Sequence, residues 1–143
     1  MCQLSRRHFL RCSALLAPLL TACAGDITEP SAPDNAGVQV LPDTIRIQLS
    51  QVQSLTKPSG SLVVPQAQVI VIRASDADYR AFTNVCTHAG CGIYAFVHPR
   101  MQCQCHGSEF DLQGLNVAGP ALLPLRRYDA QLNSSGSLVV ART

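Results

Sequence analysis

An all-β, mostly antiparallel fold is what this chain predicts, and three observations predict it. From Val38 onward apolar residues recur with period two, and Val, Ile and Leu dominate. Turn-forming Gly, Pro, Ser, Asn and Asp punctuate that pattern, most clearly at 58–60 and 133–136. After residue 23 no stretch repeats convincingly at the helical period. The expected architecture is an antiparallel sandwich or partly open barrel of roughly seven to ten strands. A small loop subdomain is expected within it, over residues 84–121.

The elements follow in order. Residues 44–49 (Thr-Ile-Arg-Ile-Gln-Leu) alternate cleanly, with Ile45, Ile47 and Leu49 on one face. Residues 61–64 form a short strand after Pro58-Ser59-Gly60. Residues 68–73 and 79–83 flank 74–78, whose composition suits a hairpin loop. Near the end, 122–128, 129–132 and 137–141 read as strands, the last two separated by Asn133-Ser134-Ser135-Gly136. No internal repeat is present. A domain this small buries a modest core and gains from extra staples.

The start of the chain reads as targeting rather than fold. Ser5-Arg6-Arg7-His8-Phe9-Leu10 resembles a twin-arginine export motif and precedes the apolar run 14–20. That run is short of the roughly 20 residues a spanning helix needs. It ends in Leu20-Thr21-Ala22-Cys23, which resembles a bacterial lipobox and makes Cys23 a candidate for lipidation; the plain alternative is an ordinary signal peptide with a chance Cys. The expected layout is a signal at 1–22, a flexible tether at 23–37 and one folded domain at 38–143. A flexible tether of that length reaches about 20 Å. The chain would then be exported and held by lipid at the outer, periplasmic or extracytoplasmic, face of a membrane.

Charge sorts the same way. Arg6, Arg7 and Arg11 account for three of the 11 basic side chains, leaving 8 against 9 acidic ones after Cys23. No basic run remains, which speaks against a nucleic-acid partner. Of seven Cys, three (Cys2, Cys12 and Cys23) fall in the export region, and the other four lie within twenty residues of one another.

Those four sit in two segments, Cys86-Thr-His88-Ala-Gly-Cys91 and Cys103-Gln-Cys105-His106-Gly-Ser108. Each segment offers one Cys and one His as metal ligands and keeps one further Cys in reserve. Cys86 and Cys103, as thiolates, would hold an inner iron; His88 and His106, as neutral imidazoles, an outer one. Two His in place of two Cys is the ligand set of a mixed [2Fe–2S] centre. Two ferric ions, two sulfides and two thiolates sum to no net charge, whereas four thiolates would leave a double negative charge. The neutral form accepts an electron more readily. The second imidazole N–H can also titrate, coupling electron to proton transfer. A mononuclear Cys₂His₂ zinc site uses the same ligand types. Against it, Cys-x-His is poor zinc spacing, and zinc gives no reason for two extra Cys. A c-type haem needs one more residue between its thiols than Cys103-Gln-Cys105-His106 provides.

The paired motifs resemble those of the Rieske iron–sulfur proteins, in particular the higher-potential branch of cytochrome bc-type complexes, over residues 44–141. Phe110-Asp111-x-x-Gly114, Gly119-Pro120-Ala121 and Pro124-Leu125 match the pattern downstream of the second motif. The resemblance implies one [2Fe–2S] cluster on Cys86, His88, Cys103 and His106. It also implies a disulfide between Cys91 and Cys105, with two free buried thiols as the alternative. Gly119, Pro120 and Ala121 would form a loop over the cluster, and Ser108 would donate its hydroxyl to a bridging sulfide. The family's usual Tyr is Phe110 here, which has no donor. Rieske centres span about −150 to +300 mV, and this departure implies a middle value.

His98 reads as a solvated loop residue. Arg126 and Arg127 read as a charged strand end, with a docking contact as the alternative. No second cofactor motif is present, so an electron-transfer component of an oxidoreductase is expected rather than a stand-alone enzyme. Three settings fit. One is a membrane-tethered carrier serving a cytochrome or a larger oxidoreductase subunit. Another is the Rieske subunit of a quinol-oxidising complex. The third is the small subunit of an arsenite-oxidase-type enzyme.

Overall fold

A computed structural model of the chain describes residues 35–143. The expected export segment and Cys23 lie outside the described residues, as does most of the expected tether. Asn35 to Gly37 form a turn that joins the domain: Val38 N–H donates to Asn35 O (3.0 Å) and Gln48 N–H to Gly37 O (2.8 Å).

Eleven strands are present: β1 (Val38–Val40), β2 (Thr44–Gln48), β3 (Ser61–Val64), β4 (Val69–Arg73), β5 (Tyr79–Thr83), β6 (Ala95–Val97), β7 (Arg100–Gln102), β8 (Glu109–Phe110), β9 (Asn116–Ala118), β10 (Arg127–Leu132) and β11 (Ser137–Ala141). Among the described residues helix is confined to three short 3₁₀ turns, Leu49–Gln51, Gln53–Leu55 and Pro65–Ala67. The strands form two sheets, both antiparallel throughout. A seven-stranded base runs β1-β2-β11-β10-β5-β4-β3, and a four-stranded sheet runs β6-β7-β8-β9. The base has β1 and β3 at its edges, so it is a partly open barrel as expected.

The base follows the alternation rule where one face is buried. In β2, Ile45 and Ile47 are buried and Arg46 is exposed; in β11, Leu138 and Val140 are buried. The 74–78 loop closes through Ala74 N–H to Asp78 O (2.8 Å). In the 133–136 turn, Asn133 Oδ1 accepts from the backbone N–H of Ser135 (3.2 Å) and Ser137 (2.9 Å).

β4 breaks the rule in an instructive way. Val69, Ile70, Val71 and Ile72 are all fully buried, as a strand covered on both faces must be. Val69 and Val71 pack with Ile45, Ile47, Leu138 and Val140 inside the base. Ile70 and Ile72 pack on the other side, with Ile93, Met101, Phe110, Cys86 and Cys103 of the smaller sheet. β5 divides likewise, Ala81 inward to the base and Phe82 outward. Two strands of the base are therefore the floor on which the second sheet sits.

Three expectations need correction. Leu49 leaves β2 and starts a 3₁₀ turn. The expected strands at 122–128 and 129–132 are one strand, Arg127–Leu132, preceded by irregular chain. Pro124 has no N–H for a ladder, and the neighbouring Leu125 N–H is taken by Gly114 O (2.8 Å). The whole β6–β9 sheet was missing from the reading, because strands of two or three residues are too short to show a period.

Candidate metal centre

The two Cys/His segments are connections within the second core, and they share one backbone design. In the first, Cys86 N–H donates to Cys91 O (2.8 Å) and Gly90 N–H to Cys86 O (2.9 Å). In the second, Cys103 N–H donates to Ser108 O (2.8 Å) and Gly107 N–H to Cys103 O (3.0 Å). Each is thus a six-residue loop with a glycine four positions after its leading Cys. Gly90 and Gly107 have φ of 74° and 72°, the left-handed region that other residues enter at a cost. Sequence reasoning passed over these glycines, and the signal that finds them is their equal offset from Cys86 and Cys103.

The loops sort the donors by depth. Cys86 and Cys103 are 2% and 1% exposed, and both are free thiols. His88 and His106 are exposed, with ring centroids 4.9 Å apart and planes at 84°. Cys91 and Cys105 form the disulfide that ties one loop to the other, with a Cα–Cα distance of 6.5 Å. Burial pushes the Cys103 thiol up, while hydrogen bonds from the Cys105 and His106 backbones pull it down; the adjacent Cys86 thiol adds to the rise. The Sγ atoms of Cys91, Cys103 and Cys105 also lie within 4.8 Å of one another. Covalent pairing removes two of those from the donor list, leaving Cys86 and Cys103 as the thiol pair.

Residues 119–123 are fastened to both loops. Ser108 is fully buried, and its Oγ accepts from Ala121 N–H (3.1 Å). Thr87 Oγ1 donates to Leu123 O (2.7 Å), a tie that sequence reasoning missed. Gly119 is glycine for a reason of space: a Cβ there would lie 2.5 Å from Gly107 O and from Ser108 Cα. Gly119 and Pro120 are exposed and Ala121 is buried. Thr87, His88, Pro120, Leu122 and Leu123 line a recess of about 360 Å³ beside the exposed imidazole.

The other candidates fall outside this assembly. His98 is exposed and stacks edge-on against Phe96, with centroids 5.9 Å apart. Arg126 lies over the Tyr128 ring at 5.2 Å, and Arg127 is exposed in β10.

The arrangement fits a sulfide-bridged diiron site of mixed ligation in two respects. Two unpaired thiols at the buried end and two imidazoles at the exposed end match sulfur and nitrogen ligation of two different irons. Ser108 supplies the second: among the described residues its hydroxyl accepts a hydrogen bond but donates none, leaving a buried donor for an acceptor that those residues do not provide. Fold and side chains together define the class, a small β-protein whose two disulfide-linked loops present two buried thiols and two exposed imidazoles.

Comparison with known proteins gives the family. The Rieske [2Fe-2S] domain matches residues 46–129. The chain belongs to that family, and its cofactor is a [2Fe–2S] cluster. It is 33% identical over 73 residues to the cytochrome b6-f complex iron-sulfur subunit of Chlorobaculum thiosulfatiphilum, covering 50% of this chain and 40% of the relative. It is 31% identical over 102 residues to the cytochrome b6-f complex iron-sulfur subunit 2 of Trichormus variabilis, covering 71% and 56%. With the cytochrome bc1 complex Rieske iron-sulfur subunit of Corynebacterium diphtheriae it shares 38% over 68 residues, 45% of this chain and 17% of the relative. The chain thus matches less than two thirds of each relative's length. A solved quaternary ammonium Rieske monooxygenase superposes with a TM-score of 0.51 at 19% identity, over 63% of this chain and 30% of that one, a likeness of fold.

Proposed function

We propose that this chain carries single electrons through a cluster held by Cys86 and Cys103 at the buried end and by His88 and His106 at the exposed end. The observation that carries the reading is the depth sorting of the donors: two buried free thiols, two exposed imidazoles 4.9 Å apart, and a disulfide joining their loops. The cluster supplies a one-electron couple when bound. The chain's own residues set its conditions. Burial of Cys86 and Cys103 keeps water from the sulfur ligands. Exposure of His88 and His106 brings the couple to the surface, where a partner can approach it. Ser108 donates toward the reduced, more negative centre and favours reduction. Phe110, fully buried and without a donor, adds no second hydrogen bond.

The partner is a redox protein, a cytochrome or a larger oxidoreductase subunit, and it meets an uncharged face. Between residues 84 and 125 the charged side chains Arg100, Glu109 and Asp111 are all half-buried, whereas Leu122 and Leu123 are 91% and 64% exposed. Export by the twin-arginine route and lipidation at Cys23 would place this face outside the cytoplasm on a membrane, as a tethered carrier or as a subunit. A second reading is favoured by the relatives, which are subunits of cytochrome b6-f and bc1 complexes: the Rieske subunit of a quinol-oxidising complex.

Iron and acid-labile sulfide analysis with EPR of the dithionite-reduced protein tests the assignment. Two irons and two sulfides per chain and a rhombic signal are expected, both lost in Cys86→Ser. Zinc with no labile sulfide would sink it. Stopped-flow reduction by a quinol analogue, with and without membranes, separates the second reading from the first, and mass measurement of the membrane-extracted chain tests lipidation at Cys23.

A further inference from the structure

We propose that Cys103 is an internal nucleophile toward the Cys91–Cys105 disulfide, and that this cross-link keeps its pairing only while Cys103 is held by iron. The three Sγ atoms lie within 4.8 Å of one another. Two are joined and the third is a free thiol with 1% exposure, so water does not separate them. Exchange runs by attack of a thiolate on a disulfide sulfur, and proximity of this kind turns it into a unimolecular step.

The reaction balances within the chain. Cys103 gives up its proton and its Sγ attacks Cys91 Sγ. The Cys91–Cys103 bond forms as the Cys91–Cys105 bond breaks, and the departing Cys105 thiolate takes a proton. One disulfide replaces another, so no outside oxidant or reductant enters. The direction follows from exposure: Cys105 is exposed and Cys91 half-buried, so leaving at Cys105 puts the departing charge in water. Attack on Cys105 instead would release a half-buried thiolate and close a ring across Gln104 alone.

The product still links the two loops, but it removes Cys103 from the donor set and leaves Cys86 and Cys105 as the free thiols. Iron on Cys103 blocks the attack, which makes the cluster the guard of the disulfide as well as its neighbour. Only this guarding step rests on the ligand assignment; the exchange rests on the sulfur geometry.

The iron-loaded full chain is stripped anaerobically with a chelator, quenched with acid at intervals, alkylated with a maleimide and mapped by tandem mass spectrometry. Label on Cys86 and Cys103 at the first point is expected, with label then moving from Cys103 to Cys105 while Cys86 stays constant. Label that remains on Cys103 overturns the proposal. In Cys103→Ser, label is expected on Cys86 and not on Cys105; label on Cys105 there would mean a different attacking thiol and would equally overturn it. The iron-loaded sample without chelator should show no label on Cys105. Label there, with iron still bound, would defeat the assignment of Cys103 as a ligand and leave the exchange itself standing.

Discussion

The two sheets solve stability differently. The base is built from strands of three to six residues around a core of aliphatic side chains, with Ile45, Ile47, Val69, Val71, Leu138 and Val140 at 1% exposure or less. The smaller sheet has strands of two or three residues, and its core includes the two free thiols. It leans on β4 and β5 of the base, on the Cys91–Cys105 bridge and on the hydrogen bonds from Thr87 and to Ser108. Their surfaces differ too. Six of the nine exposed large hydrophobics among the described residues, Tyr94, Val97, Leu115, Val117, Leu122 and Leu123, belong to the smaller region. The lesson is a division of labour: the base carries self-sufficient hydrophobic folding, and the site region trades packing for exposed donors and an apolar rim.

Ile70→Ala against Ile47→Ala puts that division to the sharpest test. Both delete equal, fully buried side chains, and each should cost about 2–5 kcal/mol in denaturant unfolding. Only Ile70→Ala, on the face shared with Cys86 and Cys103, should also speed iron loss and broaden the EPR signal. Equal effects on the iron would show that the two cores are one unit.

Removing the bridge comes next. The disulfide spans a sequence separation of 14, and loop closure of that length contributes about 3 kcal/mol. In Cys91→Ser with Cys105→Ser, hydrogen exchange should accelerate across β6–β9 and stay unchanged in β2 and β11. Acceleration across both sheets would contradict the separation.

Ser108→Ala is smaller in stability and larger in potential. It leaves the buried Ala121 N–H without its partner, a cost of about 1–3 kcal/mol. The reduction potential by voltammetry should fall. Phe110→Tyr should move it the other way; an unchanged value would refute the expectation drawn from the missing hydroxyl.

Leu122→Gln should do least to the fold, within about 0.5 kcal/mol for so exposed a side chain. It should slow electron transfer to the partner, and that rate should change little with salt, because the rim has no exposed charge to screen. A steep salt dependence would point to a charged docking face elsewhere, with Arg126 and Arg127 the first candidates.

Much of the base was legible in the chain. Its strands alternate where one face meets a core and the other is more open, and the residues at 44–48, 61–64 and 137–141 record that in their burial. The donors were legible for another reason: Cys and His are the residue types iron requires, and their spacing survives as a pattern without any fold around them. The paired segments were therefore found while the sheet that carries them was not. β6 to β9 hold their places through contacts with β4 and β5, and two residues cannot advertise such contacts.

Sequence alone determined the antiparallel β class and the two Cys/His segments from which Cys86, His88, Cys103 and His106 are proposed as donors, because side-chain chemistry and period are local properties. Tertiary structure alone decided that Val69–Arg73 is covered on both faces, that the thiols are buried while the imidazoles are exposed, and that the buried Ser108 hydroxyl accepts from Ala121 N–H. Depth, shared walls and unmet hydrogen bonds depend on what distant segments bring to the same place, and no window of neighbouring residues contains that information.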